Sequence, residues 1–477
     1  MALKLYDTLA REERLFVPRR DGAVGMYVCG PTVQAASHIG HGRAAVVFDV
    51  LRRYLEFGGL NVTFVQNITD IDDKIIFRAN AEKVTAAQIA TRYTRIWNET
   101  MAALNVLPPT VQPHATGHLI EMFSLIEQLI DAGYAYAVDG DVFFRVRKFA
   151  TYGALSRRVV DDMQQGDDVI DADRKEDQLD FALWKSAKPD EPSWLSPWGE
   201  GRPGWHIECS AMAAKHLADG VDIHGGGFDL VFPHHENEIA QHEAAHGTTF
   251  ANYWVHNGMV RMGAEKMSKS LGNVIALRGA LDTWGPGPLR VWYLSAQHRT
   301  PLTFDDDRLS DAEIVFNRFV TCVRSARRLG DGEVDAAAAS SYRDKFVAAM
   351  DDDLNVPVAV SVLHELVTDA NAALTKANNG DPLAQATVRS LGGLLVTLAD
   401  DVFGLGVEAA LDQEAASETL LAPFVADVLA QRRTARSEKD YAAADRLRDQ
   451  LAQAGVVVED SPDGERWYVQ PPSGNRT

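Results

Sequence analysis

The stretch that most limits what this chain can fold into is Met26–Arg43, MYVCGPTVQAASHIGHGR. Val24–Val28 is a short apolar run that predicts a strand. Gly30 and Pro31 break it, and Gly40 and Gly42 bracket His41 where a helix is expected to begin. Val46, Val47, Val50, Leu51, Tyr54 and Leu55 follow at helical spacing as one apolar stripe. After Gly58 and Gly59, Val62–Ile68 predicts the next strand. Strand, glycine-bearing turn, helix and strand form a βαβ unit, whose crossover is expected to be right-handed. Sheets of this kind bind ligands beyond the carboxyl ends of their strands. Cys29 closes the first strand and Thr69-Asp70 the second, so the three should share one edge. His38 and His41 fall at the helix N-terminus, where outward N–H groups suit a phosphate.

A length of 477 residues suggests about three domains at ~150 residues each. Only three cysteines occur, Cys29, Cys209 and Cys322, which points to a reducing cytosol rather than a disulfide framework. No apolar run is long enough to cross a membrane and none at the start resembles a signal peptide, so a cytoplasmic location is expected. The formal net charge of -20 excludes a generic polyanion binder. A nucleic-acid partner would need a local basic surface.

Pro108, Pro109 and Pro113 mark the end of the first α/β segment. Glu121–Ala132 predicts a helix and Gly140–Val146 a strand. From Ser156 to Gly201 the chain is crowded first with carboxylates (Asp161, Asp162, Asp167, Asp168, Asp171, Asp173, Glu176, Asp177) and then with tryptophan and proline. It is expected to be a solvated loop inserted into the α/β sheet. Trp205–Cys209 follows a Gly-Trp turn and resumes the sheet region. Val221–Ile223 predicts a short strand before Gly225, Gly226 and Gly227, which let backbone approach a ligand closely. Pro233 starts a helix with His234 and Glu238 on one face, and Tyr253–His256 is the next strand. Lys266-Met267-Ser268-Lys269-Ser270 lies in a glycine-flanked loop. Beyond Asp305 the pattern is that of a helical bundle, then a linker at Gly404–Ser417. The last unit carries a basic helix at Arg432–Lys439, a second helix with Arg446 and Arg448, and a hairpin from Val456 to Val469 turning at Pro462–Gly464. Pro471–Thr477 is expected to be a disordered tail.

Cys29, Cys209, His234 and Glu238 are donors that zinc accepts. Taken singly, each cysteine reads sooner as a small buried apolar residue, and the case for a metal rests on the topology that brings the four together. Two thiolates and a carboxylate would outweigh the two positive charges of zinc, which favours holding a soft thiolate over acidifying water. A rival motif is His242-Glu243-Ala244-Ala245-His246, the HExxH of zinc proteases. Gly247 ends that helix at once, and no third ligand follows.

His38-Ile39-Gly40-His41 and Lys266-Met267-Ser268-Lys269-Ser270 resemble the HIGH and KMSKS signatures of class I aminoacyl-tRNA synthetases. Cys29, Asn67–Lys74 (NITDIDDK), Gly204–Met212 (GWHIECSAM), the three glycines and Phe232–Glu238 (FPHHENE) narrow the resemblance to the cysteinyl-tRNA synthetase family over nearly the full length. The resemblance implies a Rossmann-like α/β catalytic domain with an insertion, a helical bundle and a small C-terminal α+β tRNA-binding domain. The corresponding boundaries are catalytic halves at 1–112 and 204–256, the insertion at 113–203 and a KMSKS-bearing connecting domain at 257–310. The bundle would occupy 311–405 and the anticodon-binding unit 418–470. It implies one zinc on Cys29, Cys209, His234 and Glu238, with Cys29, Thr69 and Trp205 beside the substrate cysteine. ATP, with Mg²⁺, would lie on His38, Gly40, His41, Gly226, Lys266, Ser268 and Lys269, of which His38, His41, Lys266 and Lys269 are catalytic. Arg432, Arg433, Arg436 and Trp467 would meet tRNA(Cys), with the chain acting as a monomer. A related ligase that joins activated cysteine to an amino sugar in mycothiol synthesis lacks the terminal unit that follows Leu420 here.

Overall fold

The computed structural model describes residues 2–163, 174–263, 265–266, 275–461 and 464–469. At its centre is a four-stranded parallel sheet ordered Ala251–Asn257, Val221–Gly227, Ala23–Val28, Asn61–Gln66. The chain runs outward from Ala23–Val28 to Asn61–Gln66, then returns to add strands on the other side. The order therefore reverses between Ala23–Val28 and Val221–Gly227, the place where such sheets open a crevice for ligands. The Val221–Gly227 strand includes all three glycines and is longer than the sequence suggests. Its parallel pairing on both sides holds them extended. A Cβ at Gly225 would meet the Phe48 ring at 2.3 Å, so the glycine sets how closely the Ile39–Phe57 helix covers the sheet.

That helix buries Val46, Val47, Val50, Leu51, Tyr54 and Leu55, the predicted stripe, and Phe48 beside it. It is also pinned by charge. The buried guanidinium of Arg290 donates to Asp49 Oδ2 at 2.5 Å and to the Phe403 carbonyl at 2.8 Å, and Arg53 Nε donates to the same carboxylate at 2.8 Å. Buried charges are tolerated when so completely paired. This network ties the Ile39–Phe57 helix to the helical region.

The insertion departs from the expected loop. Residues 135–203 carry a five-stranded antiparallel sheet ordered Ala135–Val138, Asp141–Phe144, Phe181–Ser186, Gly199–Pro203, Trp194–Ser196. The tryptophans are structural: Trp184 is fully buried and meets Phe123 edge-on at 5.1 Å. Several of the carboxylates are paired, Glu176 with Arg145 at 2.7 Å and both Asp161 and Asp177 with Arg147 at 2.6 Å. Asp167, Asp168, Asp171 and Asp173 lie outside the described residues. Trp205–Cys209 is likewise not a turn into the sheet; Trp205–His216 is a helix that starts directly after extended Gly204.

Helices Asp306–Arg328, Ala336–Asp351, Val356–Asn378 and Pro382–Val396 follow. The expected linker at 404–417 is absent as such: Gly406, with φ 76°, caps one continuous helix over Val407–Ser437. A second helix, Tyr441–Gln453, and the hairpin Val456–Ser461/Gly464–Val469 close a small core of Val425, Leu429, Leu451, Val456 and Val458. Pro462, Asp463 and Pro471–Thr477 lie outside the described residues.

Candidate active site and metal centre

The strand that ends at Val28 delivers Cys29 to the crevice, where its N–H donates to the Gly225 carbonyl at 3.1 Å. Gly30 follows because nothing larger fits: a Cβ there would lie 1.6 Å from the Asn67 carbonyl oxygen. Its N–H donates to Asn67 Oδ1 at 2.8 Å. Thr69 is held on the same edge, with its N–H on the Pro31 carbonyl at 3.1 Å. Four segments then converge. Cys29, Cys209, His234 and Glu238 place their donor atoms all within 4.8 Å of one another. The two sulfurs are 3.8 Å apart, Cys29 Sγ is 3.3 Å from Glu238 Oε1, and His234 Nε2 is 3.0 Å from the same oxygen. Cys209, His234 and Glu238 are buried. Pro233 lies in the middle of a tight turn over Val231–His235, the regular helix starting only at Glu236, and Glu238 follows in that Glu236–His246 helix, so the pair does sit one turn apart.

The protonation behaviour of this donor set suits a cation. Burial opposes ionisation of Cys209, but hydrogen bonding from Cys29 and the charge of His234 hold its thiol down to about 6. Burial and then Cys209 push the Cys29 thiol well up. Two thiols this close cannot both ionise without positive charge between them. Burial works against both Glu238 and His234 as ions, yet Glu238 is held well below the usual carboxylate range by His224 and His234. His234 is in turn held up to about 10 by Glu238 and Cys209. Soft sulfur, imidazole and carboxylate in fourfold array fit zinc.

A layer of residues behind the donors escaped the sequence reading. His224 Nε2 meets Glu238 Oε2 at 2.9 Å and its Nδ1 meets the Tyr27 carbonyl at 3.1 Å. His235 stands between Cys29 Sγ, at 3.3 Å, and His256, at 2.8 Å, and His256 ends on the Thr8 hydroxyl at 2.8 Å. These rings fix the orientation of the donors, as outer contacts around metal ligands do. With Cys29 and Glu238, His224 and His235 form a second group of clustered donors. The doubled histidine of Phe232–Glu238 was the available signal. Asn67 and Glu208 were also missed: Asn67 Nδ2 donates to Thr69 Oγ1 at 3.2 Å, and that hydroxyl donates to Glu208 Oε2 at 3.0 Å. The Trp205 ring stacks on His234 with centroids 4.3 Å apart, which brings it to the cluster.

His38 is the N-cap of the Ile39–Phe57 helix, and its ring stacks on His41 at 3.7 Å. The His38 N–H donates to His41 Nδ1 at 3.2 Å, which leaves Nε2 of a neutral His41 as the N–H donor. Gly40 lies in the first turn between them. Gly226 is the last residue but one of the neighbouring strand, with His235 beside it. Lys266 pairs through its backbone with Arg261 in the strand Glu265–Lys266. Met267, Ser268, Lys269 and Ser270 lie outside the described residues. The chain returns at Ile275, whose carbonyl accepts the Ile39 N–H at 3.1 Å, while the Leu277 N–H donates to the Ser37 carbonyl at 2.9 Å. The described residues on either side of that segment are therefore placed on one small sheet, at Lys266, and on the histidine turn, at Ile275 and Leu277.

His242 and His246 lie one turn apart, but the helix ends at Gly247 and neither clustered donor group among the described residues includes them or Glu243. In the terminal unit Arg433 and Arg436 are exposed. Arg432 is 5% exposed and Trp467 packs against the apolar core, so both belong more to the interior than the sequence suggested.

The parallel sheet with its reversal of strand order, the histidine-capped helix at its crevice and the bonding of Ile275 and Leu277 to that helix's start are those of a class I aminoacyl-tRNA synthetase. Residues 15–314 match the class I (C) tRNA synthetase catalytic domain, 345–408 the DALR domain and 419–467 the cysteinyl-tRNA ligase anticodon-binding domain. A cysteine–tRNA ligase of Desulfitobacterium hafniense is 46% identical over 98% of this chain and 100% of its own length. One from Thioalkalivibrio sulfidiphilus is 47% identical over 98% and 99%. The chain belongs to the cysteine–tRNA ligase family. Mycobacterium tuberculosis methionyl-tRNA synthetase in complex with methionyl-adenylate shares the fold with a TM-score of 0.60 at 16% identity, over 82% of this chain and 93% of its own. The LeuRS–tRNA–LeuAMS ternary complex of Agrobacterium radiobacter K84 does so at 0.61 and 12%, over 83% and 85%.

Proposed function

We propose that this ATP-dependent ligase activates L-cysteine to cysteinyl-adenylate and transfers it to the 3′ end of tRNA(Cys). One zinc on Cys29, Cys209, His234 and Glu238 would select the amino acid. The observation that carries the reading is the convergence of those four donors at the crevice edge that also bears His38 and His41. When bound, zinc supplies a soft Lewis acid that takes a thiolate in preference to an alcohol. Thr69 and Trp205 bound the substrate beside it.

The amino-acid carboxylate is already a nucleophile, so attack on the α-phosphate of ATP needs no strong base. It needs alignment and stabilisation of charge as pyrophosphate leaves. His41, fixed as an Nε2–H donor by its bond from the His38 N–H, suits a phosphate oxygen at the helix N-terminus. Gly226 lets nucleotide approach the strand end. Lys266 and Lys269 suit the departing pyrophosphate with Mg²⁺, and Ile275 and Leu277 beyond them bond to the histidine turn. In the terminal unit, exposed Arg433 and Arg436 face an anticodon loop, with Arg432 and Trp467 holding their frame. The chain acts as a monomer in the cytoplasm.

ATP–pyrophosphate exchange with each of the twenty amino acids tests this. Cysteine alone should support exchange, and serine should fall short by on the order of 10⁴. Exchange with serine within a hundredfold of cysteine would sink the zinc-based account.

A further inference from the structure

One buried cation plays no part in the chemistry above. Arg43 lies two residues beyond His41 in the Ile39–Phe57 helix and is fully buried. Arg53 and Arg290, also buried, share the carboxylate of Asp49. Arg43 meets no carboxylate among the described residues; its Nη2 donates instead to three backbone carbonyls, Thr300 at 2.6 Å and Gln297 and His298 at 3.3 Å. Burial pushes its guanidinium down to about 10, which leaves it a cation at neutral pH. Burying a charge is costly, and for stability alone an apolar side chain would serve as well. What the guanidinium adds is direction, because it fixes the helix to one stretch of chain.

That stretch is itself held. Arg299 donates to Asp353 Oδ2 from Nη2 at 2.6 Å and from Nε at 2.9 Å, and Gln297 Nε2 donates to the same oxygen at 2.9 Å. Asp353 Oδ1 accepts the Tyr6 N–H at 2.8 Å. Asp353 is buried between the helices Ala336–Asp351 and Val356–Asn378. It and Leu354 both stand in the left-handed region, each with φ 51°, which is unfavourable for leucine. Backbone of this kind persists where its surroundings fix it, and it gathers at functional sites. A second tie reaches the same helix. The Tyr293 hydroxyl donates to the Ile39 carbonyl at 2.7 Å and leaves no room for a Cβ on Gly42. The turn that carries His38 and His41 is thus fastened at two points to residues 293–300.

We propose that Arg43 is a positioning residue for adenylate formation: bonded to the carbonyls of Gln297, His298 and Thr300, and through that stretch to Asp353, it sets where His38 and His41 meet the phosphates. The proposal rests on the ligase reading above and deepens it. A displacement of about 1 Å at such a site can cost on the order of a hundredfold in rate.

The test is a double-mutant cycle on cysteine-dependent pyrophosphate exchange. Arg43→Met keeps an unbranched apolar stem and removes the donors. Its kcat, counted per active site from the burst of adenylate, should fall on the order of a hundredfold. KM for cysteine should stay parental, since Cys29 and Thr69 are anchored on other elements. Asp353→Asn keeps shape and suits left-handed backbone, and it should lose kcat in the same way by about tenfold. The double variant should be no slower than Arg43→Met, within about twofold, because both residues act through one path. Hydrogen–deuterium exchange over residues 38–46 should quicken in both single variants while bound zinc stays parental. Absence of pyrophosphate exchange in the parent would sink the ligase reading, and the amide readout would still decide the positioning. Parental kcat per site in Arg43→Met, a loss confined to the number of active sites, or losses that multiply in the double variant would each overturn the inference.

Discussion

Glu236 offers a perturbation whose size can be worked from the structure. Its carboxylate is buried, with Oε1 accepting the Gly153 N–H at 2.9 Å and the Leu155 N–H at 3.4 Å, and Oε2 accepting the Ser156 N–H at 2.8 Å. These bonds fasten the insertion to the helix that carries Glu238. Glu236→Gln keeps volume and shape, so packing terms drop out. The amide oxygen can keep the Gly153 side, but its NH₂ then faces the Ser156 N–H, donor to donor. A hydrogen bond to a charged group contributes about 1.5–3 kcal/mol, and the orphaned N–H adds a desolvation penalty. The segment should therefore open about 3 kcal/mol more easily, which is on the order of a hundredfold in amide exchange. Hydrogen–deuterium exchange across residues 150–158 would measure it, with the Val356–Asn378 helix as internal reference. Protection in the variant within threefold of the parent would refute the clamp. An equal rise in the reference helix would show that Glu236 stabilises the whole molecule instead.

Three further outcomes follow from the same geometry. Cys209→Ala should lose bound zinc and cysteine-dependent exchange together while His246→Ala keeps both, measured by metal analysis on the purified proteins; zinc loss in His246→Ala would restore the protease alternative. Removing Leu420–Thr477 should leave cysteine adenylation largely intact and severely weaken charging of tRNA; normal charging by the truncated protein would remove the RNA role of that unit. Burial pushes the His298 imidazole down to about 4. Below about 6.5 the unfolded chain binds a proton there that the folded chain does not, so stability should decline as pH falls from about 6.5 to about 4, by up to roughly 3 kcal/mol. His298→Asn should make the acid limb of urea-denaturation stability shallower; an unchanged limb would refute the assignment.

What could be read from the sequence was what repeats locally. The apolar stripe from Val46 to Leu55 and the glycine-bracketed histidines have short-range signatures, and the strand–helix–strand unit followed from them. The linker at 404–417 was misread because Gly404 and Gly406 look like breakers, although the Ala/Glu-rich run after Gly406 has strong helix propensity. The start of the Trp205–His216 helix was hidden by the glycine that precedes it. His224, Asn67 and Glu208 could not be found by spacing at all. Their partners are remote in the chain, as Thr69 to Glu208 and Cys209 to Asn67 illustrate, and only the sheet order brings them together.

The same remoteness bears on how the site tells cysteine from serine. The two side chains are almost equal in size, and a shaped apolar pocket separates such pairs by only about a hundredfold. More discrimination has to come from donor chemistry, which works only if the donors stay in place. Here each donor comes from a different local structure: a strand end, the interior of a helix, a tight turn and the first turn of a second helix. Each is braced from behind: Cys29 by His235 at 3.3 Å, Cys209 by Asn67 at 3.6 Å, His234 by His206 at 2.9 Å, Glu238 by His224 at 2.9 Å. Closing around a harder, smaller oxygen ligand would require these braces to shift together. On the proposed reading, zinc held in so rigid an array would penalise the alcohol twice, in bond strength and in fit, and the discrimination would exceed what shape alone provides.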